Sequence, residues 1–536
     1  MAFLVSDYFS WRYLPIALPL LFIGSLYVQR WLSRRSALAI GAMAPDVDIR
    51  GPLGRIGFFC RVRDDALILV WTGLGFFLEA IRTWRNNTAL EFWQWIFDHT
   101  GCAARGSYTA EVMIMNGQRM ILTADPENVK AVLTSQFKSW GKGQMLYDAF
   151  RPFLGDSILS TDGEQWHRAR QIIRPFFEKT RVSDLDLYER NVQRLIPKLD
   201  KTAIVSIDDL IFRYTLDTIS EFLLGNRVGS LEDSSNGFTE AFNEVQRVQS
   251  VLMRAGPLTW AIPRKSYLEN IKRLDRYMEP FISQALTLPP GSPEAKSDTL
   301  LQALASWTRD RQMIRDELTS VLFAGSDTTA SSMSWIFFEL ARHPNVVAKL
   351  RALILRKIGT RRPTYQEIKD LKYLQYVINE TQRLYATMPF ATRQALQDTT
   401  LPRGGGPDGL SPIGVRAGTP IIYSALLMHR RRDLYPPVSE SFPDPLEWVP
   451  ERWEHWTPKS WQLIPFSGGP RICIGQQFAL MEMGYTLCRI LQTFEHIVDY
   501  TGGGPPVLKC GIVVTPFHGV QIGFVRPAVA ANTPQE

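Results

Sequence analysis

The segment Phe466-Ser-Gly-Gly-Pro-Arg-Ile-Cys-Ile-Gly475 places Cys473 in a glycine-rich turn, and a helical pattern follows over residues 476–489. A cysteine thiolate can bind haem iron axially when a loop directs backbone N–H groups toward its sulfur. Gly469 and Gly475 allow the backbone to approach the sulfur closely, and the positive end of the following helix would stabilise the thiolate. The segment therefore predicts a haem-binding loop in which Cys473 is the axial ligand of the iron.

A second segment with chemical potential, Ala324-Gly-Ser-Asp-Thr-Thr329, lies inside a helical pattern over residues 315–342. Glycine and threonine are poor choices in a helix interior, and the glycine alone costs about 1 kcal/mol. One interpretation is a packing glycine, with hydroxyls that bond back to the i−4 carbonyls. The other is a local opening of the helix, in which Thr328 hydrogen-bonds dioxygen and Asp327 relays protons. The segment by itself leaves both interpretations open.

Together the two segments resemble the cytochrome P450 family. The pattern F-x-x-G-x-R-x-C-x-G over residues 466–475 is similar to the cysteine-ligand loop of that family, and residues 324–329 resemble its oxygen-activation helix. The resemblance implies a haem b cofactor and favours the catalytic interpretation of Asp327 and Thr328. Arg471 is placed to pair with a haem propionate, for which a guanidinium is well suited.

Other motifs occur in the order typical of the family. Trp166 and Arg170 resemble the W-x-x-x-R pair that meets a propionate, and Arg393 resembles a propionate-binding arginine. The cofactor-binding residues that the resemblance implies are Trp166, Arg170, Arg393, Phe466, Gly469, Arg471, Cys473 and Gly475.

Three charged residues resemble the structural triad of the family. Glu380 and Arg383 have the i,i+3 spacing that places opposite charges on one helix face. Arg452, in the segment Pro450-Glu-Arg452, supplies the third charge. The resemblance implies a buried ion network that holds the cysteine loop in place and is structural rather than catalytic.

The composition fits a large globular protein, because 45% of the 536 residues are hydrophobic and 21% are charged. Two strand patterns flank Asn116-Gly117, which predicts a β-hairpin, and residues 184–395 are predominantly helical in pattern. The Gly- and Pro-rich residues 401–412 predict an exposed loop. We expect a mainly α fold with a small β portion (α+β), in which residues 101–536 form one haem-enclosing domain.

The cysteine and charge patterns exclude several classes of protein and partner. The five cysteines contain no C-x-x-C pair, so neither a disulfide framework nor a zinc knuckle fits, and a reducing compartment is expected. The net charge of +7 reflects either scattered arginines or attraction to an anionic membrane face, and no basic stripe predicts nucleic-acid binding. No flavin or NAD fingerprint is visible, so the resemblance implies that NADPH–cytochrome P450 reductase supplies the electrons.

The N-terminal region predicts a membrane anchor. Residues 13–28 carry no charge and, as a helix, would span about 24 Å. Arginines follow this run rather than precede it, which disfavours a cleaved signal peptide and puts that side in the cytosol. We expect a single-pass anchor within residues 1–40 that holds a cytosolic catalytic domain on the endoplasmic reticulum. A linker and a second apolar run, residues 66–81, occupy 41–100; whether that run crosses the membrane or lies at its surface stays open.

The substrate expectation comes from a closer resemblance. Residues 166–177, 401–413 and 469–480 are similar to a fungal subfamily that oxidises alkanes and fatty acids. That subfamily has Arg where this chain has Ser326, so tailoring of a polyketide, terpenoid or lipopeptide is the alternative. Remote alternatives are a haem-thiolate isomerase and a haem- or sterol-binding sensor. The pocket candidates by family position are Tyr147, Phe323, Ala324, Phe390, Ala391 and Phe517.

Overall fold

The structure, a computed structural model, describes residues 74–113, 119–178, 185–288, 299–439 and 442–528. It is mainly α-helical with small sheets, as expected from the sequence. The described chain divides into two compact units. The first unit combines the described residues up to Gly143 with Phe390–Leu427, and the second combines Gln144–Pro389 with the described residues from Met428.

Within its described residues, the first unit contains three complete α-helices, a five-stranded sheet and the two-stranded sheet of β6 (Thr399–Gly405) and β7 (Ser411–Val415). In the five-stranded sheet the strands are ordered β1 (Thr109–Met113), β2 (Arg119–Thr123), β8 (Pro420–Tyr423), β5 (Ala391–Ala395) and β3 (Trp140–Gly141). The helices of the first unit are α1 (Leu74–Arg85), α2 (Ala89–His99) and α3 (Pro126–Lys130).

Two predictions about the first unit have different outcomes. The hairpin prediction is confirmed in its strands, because β1 pairs antiparallel with β2 and Thr109 lies opposite Thr123; the Asn116-Gly117 turn lies outside the described residues. The exposed-loop prediction for residues 401–412 is wrong in part. β6 and β7 form an antiparallel hairpin there, since the buried side chains of Leu401 and Ile413 pair across the strands.

The second unit contains most of the helices. They are α4 (Gly143–Leu154, whose first residue belongs to the first unit), α5 (Gly163–Ile173), α6 (Asp186–Leu199), α7 (Ile207–Leu224), α8 (Gly237–Ala255), α9 (Lys265–Ala285), α10 (Leu300–Trp307), α11 (Arg311–Arg342), α12 (Pro344–Lys357), α13 (Tyr365–Asp370), α14 (Lys372–Leu384), α15 (Ala425–Met428, at the unit boundary), α16 (Arg452–His455) and α17 (Gln476–Thr493). Its strands are β4 (Val205–Ser206), β9 (His496–Asp499), β10 (Leu508–Cys510), β11 (Val514–Pro516) and β12 (Gln521–Val525).

Helix α11 is the central element of the second unit, and most of its 32 residues are buried. Its C-terminal half holds the β10–β11 hairpin, because Ser331 Oγ and Trp335 Nε1 both donate to the Val514 carbonyl, at 2.6 and 2.9 Å. Its N-terminal half holds the segment before α5, because Asp316 accepts the Asp156 N–H at 3.0 Å. The helix therefore fixes two separate loops of its unit.

Among the described residues, no helix is both long and apolar enough to cross a bilayer. The predicted anchor at residues 13–28 lies outside the described residues. Of the second apolar run, residues 74–81 form the beginning of α1.

The structure brings together the three charged residues of the predicted ion network. The side chains of Glu380, Arg383 and Arg452 are all fully buried. Arg383 Nε lies 2.8 Å from Glu380 Oε2, and Arg452 Nε lies 3.2 Å from Glu380 Oε1. The same carboxylate accepts the Val449 N–H and the Trp453 indole N–H, each at 3.0 Å. Helix α14 is thereby tied to the segment that leads into α16.

Other guanidinium hydrogens of the network go to backbone oxygens and to the Tyr435 hydroxyl. Arg383 donates to the Pro445 carbonyl at 2.6 Å, and Arg452 donates to the carbonyls of Pro443 and Asp444, each at 2.8 Å. Burial of several charges is costly unless each is hydrogen-bonded. The network meets this condition by drawing on the carbonyls of an irregular segment, which it consequently fixes.

Replacing Glu380 by Gln should lower the free energy of unfolding by about 3–5 kcal/mol, because two buried guanidiniums lose their counter-charge. A matched control is Asp200→Asn, which breaks the half-exposed Arg526–Asp200 pair (51% and 41% side-chain exposure). The control should cost less than about 1 kcal/mol. Urea unfolding measures both; a Glu380→Gln protein no less stable than the control would contradict a structural part for the network.

Candidate active site

The cysteine loop is a short 3-10 turn, Gly469–Arg471, followed by Cys473 and then by α17. Gly469 has a φ of +67°, a left-handed conformation that glycine adopts without strain. The Cys473 N–H donates to the Phe466 carbonyl at 3.0 Å and closes the loop. The glycine at 469 thus has the conformational part expected of it, and the backbone on both sides of the cysteine is fixed.

The Cys473 thiol lies at the wall of a recess. Its side chain is exposed to solvent, yet surrounding protein buries the sulfur sufficiently to raise the pKa of the thiol. Because the Cys473 side chain is accessible to solvent and yet surrounded by protein atoms, it lies in a concave part of the surface. The N–H of Gly475 and the positive charge of Arg170 act in the opposite direction on this pKa. A sulfur in a recess, with a backbone N–H and a cation beside it, fits a thiolate ligand for haem iron.

Two arginines gather around Trp166. The Trp166 side chain is buried in α5; Arg471 Cζ lies 4.4 Å and Arg170 Cζ 5.9 Å from its ring centroid. Burial lowers the pKa of Arg170. Arg471 also donates to Asp162 Oδ1 at 2.6 Å and to the Thr161 carbonyl at 2.9 Å. Two guanidiniums on one aromatic residue form a suitable receptor for carboxylates such as haem propionates.

Asp162 was not among the residues predicted from the sequence. It stands immediately before α5, where an acidic residue is an ordinary helix N-cap, and that signal could have singled it out. In the structure it accepts from Arg471 instead of capping the helix with its side chain.

Arg393 lies in the first unit, and the pocket candidates are divided between the first and the second unit. Arg393 is buried on β5 of the first unit and donates to the Thr392 carbonyl, so its contact with a propionate stays a prediction.

Among the pocket candidates of the second unit, Phe323 packs edge-on against Phe153, with centroids 5.6 Å apart. Tyr147 donates to Asp156 at 2.5 Å, and Phe517 is 47% exposed beside His518. In the first unit, Phe390 stacks on Trp93 with centroids 4.8 Å apart, and Ala391 is half-buried. Core packing therefore accounts for Phe323 and Phe390.

The oxygen-helix segment shows the features of the packing interpretation. Helix α11 is continuous from Arg311 to Arg342, so the local opening expected around Gly325 is not seen. A Cβ atom at Gly325 would lie 2.8 Å from the Ile219 side chain of α7, which explains why the position lacks a side chain. The Thr328 hydroxyl donates to the Ala324 carbonyl at 2.7 Å. The helix forms its hydrogen bonds here without a bulge.

The same segment nevertheless has an accessible face. Ala324, Gly325, Asp327 and Thr328 are half-buried, whereas Phe323, Ser326 and Thr329 are buried. Positions at i, i+1, i+3 and i+4 share one face of a helix. Asp327 and Thr328, the two residues predicted to be catalytic, therefore lie on the accessible face of an otherwise buried helix.

Asp327 is a carboxyl group with a near-neutral pKa. Burial raises its pKa to about 6, while hydrogen bonds from Gln246 and Ser326 act in the opposite direction. Gln246 Nε2, on α8, donates to Asp327 Oδ1 at 3.3 Å. A carboxyl that titrates near the working pH can both hold and release a proton. Gln246 was missed because no local pattern connects a glutamine with an aspartate 81 residues away.

Comparison with known proteins identifies the family. The Cytochrome P450 family model matches residues 108–523. "Cytochrome P450 monooxygenase pvhE" of Talaromyces variabilis is 43% identical over 85% of this chain and 88% of its own length. "Cytochrome P450 52A1" of Candida tropicalis is 37% identical over 76% of this chain and 78% of its own length.

A solved structure has the same fold. The "cytochrome P450DA heme domain" superposes with a TM-score of 0.69 over 82% of this chain and 93% of its own, at 22% identity. The match over residues 108–523 and the similarity of the relatives show that the chain belongs to the cytochrome P450 family, as a haem-thiolate monooxygenase that receives electrons from a partner reductase.

Proposed function

We propose that this chain hydroxylates a C–H bond in an alkyl or fatty-acyl chain of a lipophilic substrate, with Cys473 as the ligand of the haem iron. The observation that carries the ligand assignment is the Cys473 sulfur in its recess, beside the Gly475 N–H and the Arg170 cation. The substrate class is supported by the relatives of the 52A type, whose matches cover about three quarters of the chain. Membrane attachment through residues 13–28 belongs to the same proposal and is supported by the sequence pattern.

The residues around the cofactor have separate tasks in this mechanism. The haem supplies the oxidising chemistry when it is bound. Arg170 and Arg471, gathered at Trp166, would bind its propionates, and Gly475 shares its N–H with the sulfur. The partner reductase delivers electrons from NADPH.

Proton delivery is assigned to the accessible face of α11. Asp327 holds a proton on its carboxyl below about pH 6 and releases it toward the active site. The Thr328 hydroxyl hydrogen is directed to the Ala324 carbonyl, so the hydroxyl oxygen is free to accept a hydrogen bond from a proton donor. Together they orient and transfer protons, which is the part that the chain itself must supply.

Tailoring oxidation of a polyketide, terpenoid or lipopeptide is the second candidate. It is favoured by Ser326, because the alkane- and fatty-acid-oxidising subfamily that the chain resembles has Arg at this position next to Asp327. The loop sequence F-S-G-G at residues 466–469 departs from the F-N-A-G of that subfamily as well. Both departures lie close to the chemistry, so they bear on substrate choice.

Replacing Cys473 by Ser should abolish the thiolate-type absorption of the reduced, CO-bound protein. A matched control is Cys488→Ala, because Cys488 lies in α17 and is fully buried. The control should keep the thiolate-type spectrum at a somewhat lower thermal stability. The measurement is the CO difference spectrum, and a thiolate-type band in Cys473→Ser would refute the ligand assignment.

Replacing Asp327 by Asn should slow hydroxylation by about 10²-fold, the usual contribution of a positioned proton donor. The parent rate should fall as pH rises through about 6, and the variant rate should lack this limb. The substitution should affect stability in the opposite direction to the rate. A carboxyl whose pKa rises from 3.8 to about 6 on folding stabilises the fold below pH 3.8 and loses that contribution as pH rises through 6. The Asp327→Asn protein should thus be at least as stable as the parent at pH 7. If the variant and the parent hydroxylate at the same rate and with the same pH profile, Asp327 is not the proton donor.

Substrate class is tested by the spectral shift that a substrate causes when it displaces water from ferric haem. Long-chain fatty acids and n-alkanes should produce a saturable shift, whereas polycyclic terpenoids of equal hydrophobicity should produce a weaker one. NADPH and dioxygen consumption with the best binder should accompany a hydroxylated product. Binding of terpenoid or polyketide probes alone would favour the tailoring reaction, and turnover without NADPH would favour an isomerase.

A further inference from the structure

His429 is a buried titratable residue that the mechanism above does not use. It follows α15 and has no exposed surface. Its ring nitrogen Nε2 accepts the backbone N–H of Ile464 at 2.9 Å. Its own carbonyl oxygen accepts the Tyr435 hydroxyl, and Arg383 Nη1 approaches the same oxygen at 3.5 Å. One residue therefore contacts the ion network through its backbone and a distant segment through its ring.

The hydrogen bond to Ile464 fixes the state of the imidazole. A backbone N–H can only donate, so Nε2 must be unprotonated and the ring must be the neutral tautomer with hydrogen on Nδ1. Burial and the positive charge of Arg383 agree with this state, because they lower the pKa of His429 to about 3. The histidine is thus a permanent acceptor at neutral pH.

Ile464 stands at the entrance of the cysteine loop. Its carbonyl accepts the Ser467 N–H at 3.0 Å, and the Phe466 carbonyl accepts the Cys473 N–H, also at 3.0 Å. With its own N–H held by His429, the backbone of Ile464 is fixed on both sides. The ion network is consequently joined to the backbone of Cys473 by hydrogen bonds that are linked through the covalent structure of His429 and of residues 464–467.

We propose that His429 is a positioning residue that transmits the rigidity of the ion network to the cysteine loop and so holds Cys473 in register with the haem iron. The inference rests on the proposed ligand role of Cys473. The ring suits this task because it is planar, neutral and rigid, so it offers an acceptor at a fixed distance from its own backbone. An aliphatic residue of similar size would fill the space but leave the Ile464 N–H buried without an acceptor, which is unfavourable.

Hydrogen–deuterium exchange on the holoenzyme tests the contact directly. The Ile464 amide should be protected in the parent, and His429→Leu should raise its exchange rate about five- to tenfold, as expected for the loss of one hydrogen bond. His429→Gln retains an acceptor and should restore part of the protection. The matched control is Gln492→Leu, which removes a buried residue that bonds to the Gly359 and Arg361 carbonyls at 2.8 and 2.9 Å, away from Ile464. The control should leave the Ile464 amide unchanged.

The CO-bound spectrum tests the consequence for the cysteine. At matched thermal destabilisation, His429→Leu should convert from the thiolate form to the non-thiolate form at least about fivefold faster than Gln492→Leu, with His429→Gln in between. Unchanged exchange at Ile464, or faster exchange with conversion no faster than in the control, would overturn the proposal. The exchange measurement does not depend on the ligand, so a failed Cys473 assignment and a failed His429 contact give different results. If His429→Leu does not fold, exchange at Ile464 and the rate of conversion are compared between His429→Gln and the parent. Both should be faster in His429→Gln, and two unchanged rates would overturn the proposal.

Discussion

The second unit depends on one carboxylate, Glu380, which holds two guanidiniums where water cannot reach them. Burying an ion costs several kcal/mol even after relaxation, so such a group persists only when all of its hydrogen bonds are made. Glu380 receives the Val449 and Trp453 N–H groups in addition to the two arginines. The attraction is strong enough that the pKa of Arg383 stays above its usual value despite burial. The fixed geometry of residues 443–453 follows from this network.

The cysteine loop uses that fixed geometry. A thiolate ligand of iron needs a sulfur atom in a fixed position, yet residues 466–475 contain glycines and little regular structure. Its rigidity must therefore come from outside the loop. The His429 ring at Ile464 and the Asp162 carboxylate at Arg471 supply it from outside, while the hydrogen bond from the Cys473 N–H to the Phe466 carbonyl closes the loop on itself. An irregular loop can thus be held as firmly as a helix.

Local sequence patterns predicted the parts of the fold that local interactions determine. The pairing of β1 with β2 is confirmed, and Gly469 of the cysteine loop has a left-handed conformation, because such local features depend on residues close in sequence. Contacts between distant segments were not predictable in this way. Gln246 meets Asp327 across 81 residues, and His429 meets Ile464 across 35, and neither glutamine nor histidine carries a motif. The family resemblance predicted which charged residues meet at Glu380, but not the backbone carbonyls that satisfy them.

The opening of α11 was one of two interpretations of residues 324–329, and the continuity of the helix has a physical reason. Gly325 is required by the approach of Ile219, and Thr328 satisfies its hydroxyl on the Ala324 carbonyl, so the helix has no cause to bulge. The poor helix formers are accounted for by packing, and the catalytic potential of the segment comes from its accessible face instead. The structure thus agrees with the packing interpretation, and the proposed proton transfer needs only the accessible face, not an opening of the helix.

Ser326 bears on how the accessible face works. An arginine beside Asp327, as in the subfamily that the chain resembles, would lower the pKa of the carboxyl by about 1–3 units if the two charges met. Serine offers a hydrogen bond but no charge, so desolvation prevails and the pKa rises to about 6. The change from Arg to Ser thus leaves the proposed proton relay in place and moves its working range up toward pH 6, where the carboxyl is partly protonated. A change in rate near pH 6 would then follow from the uncharged surroundings of Asp327, which Gln246 and Ser326 provide. A site in which a cation lies next to the aspartate should show this change at a lower pH.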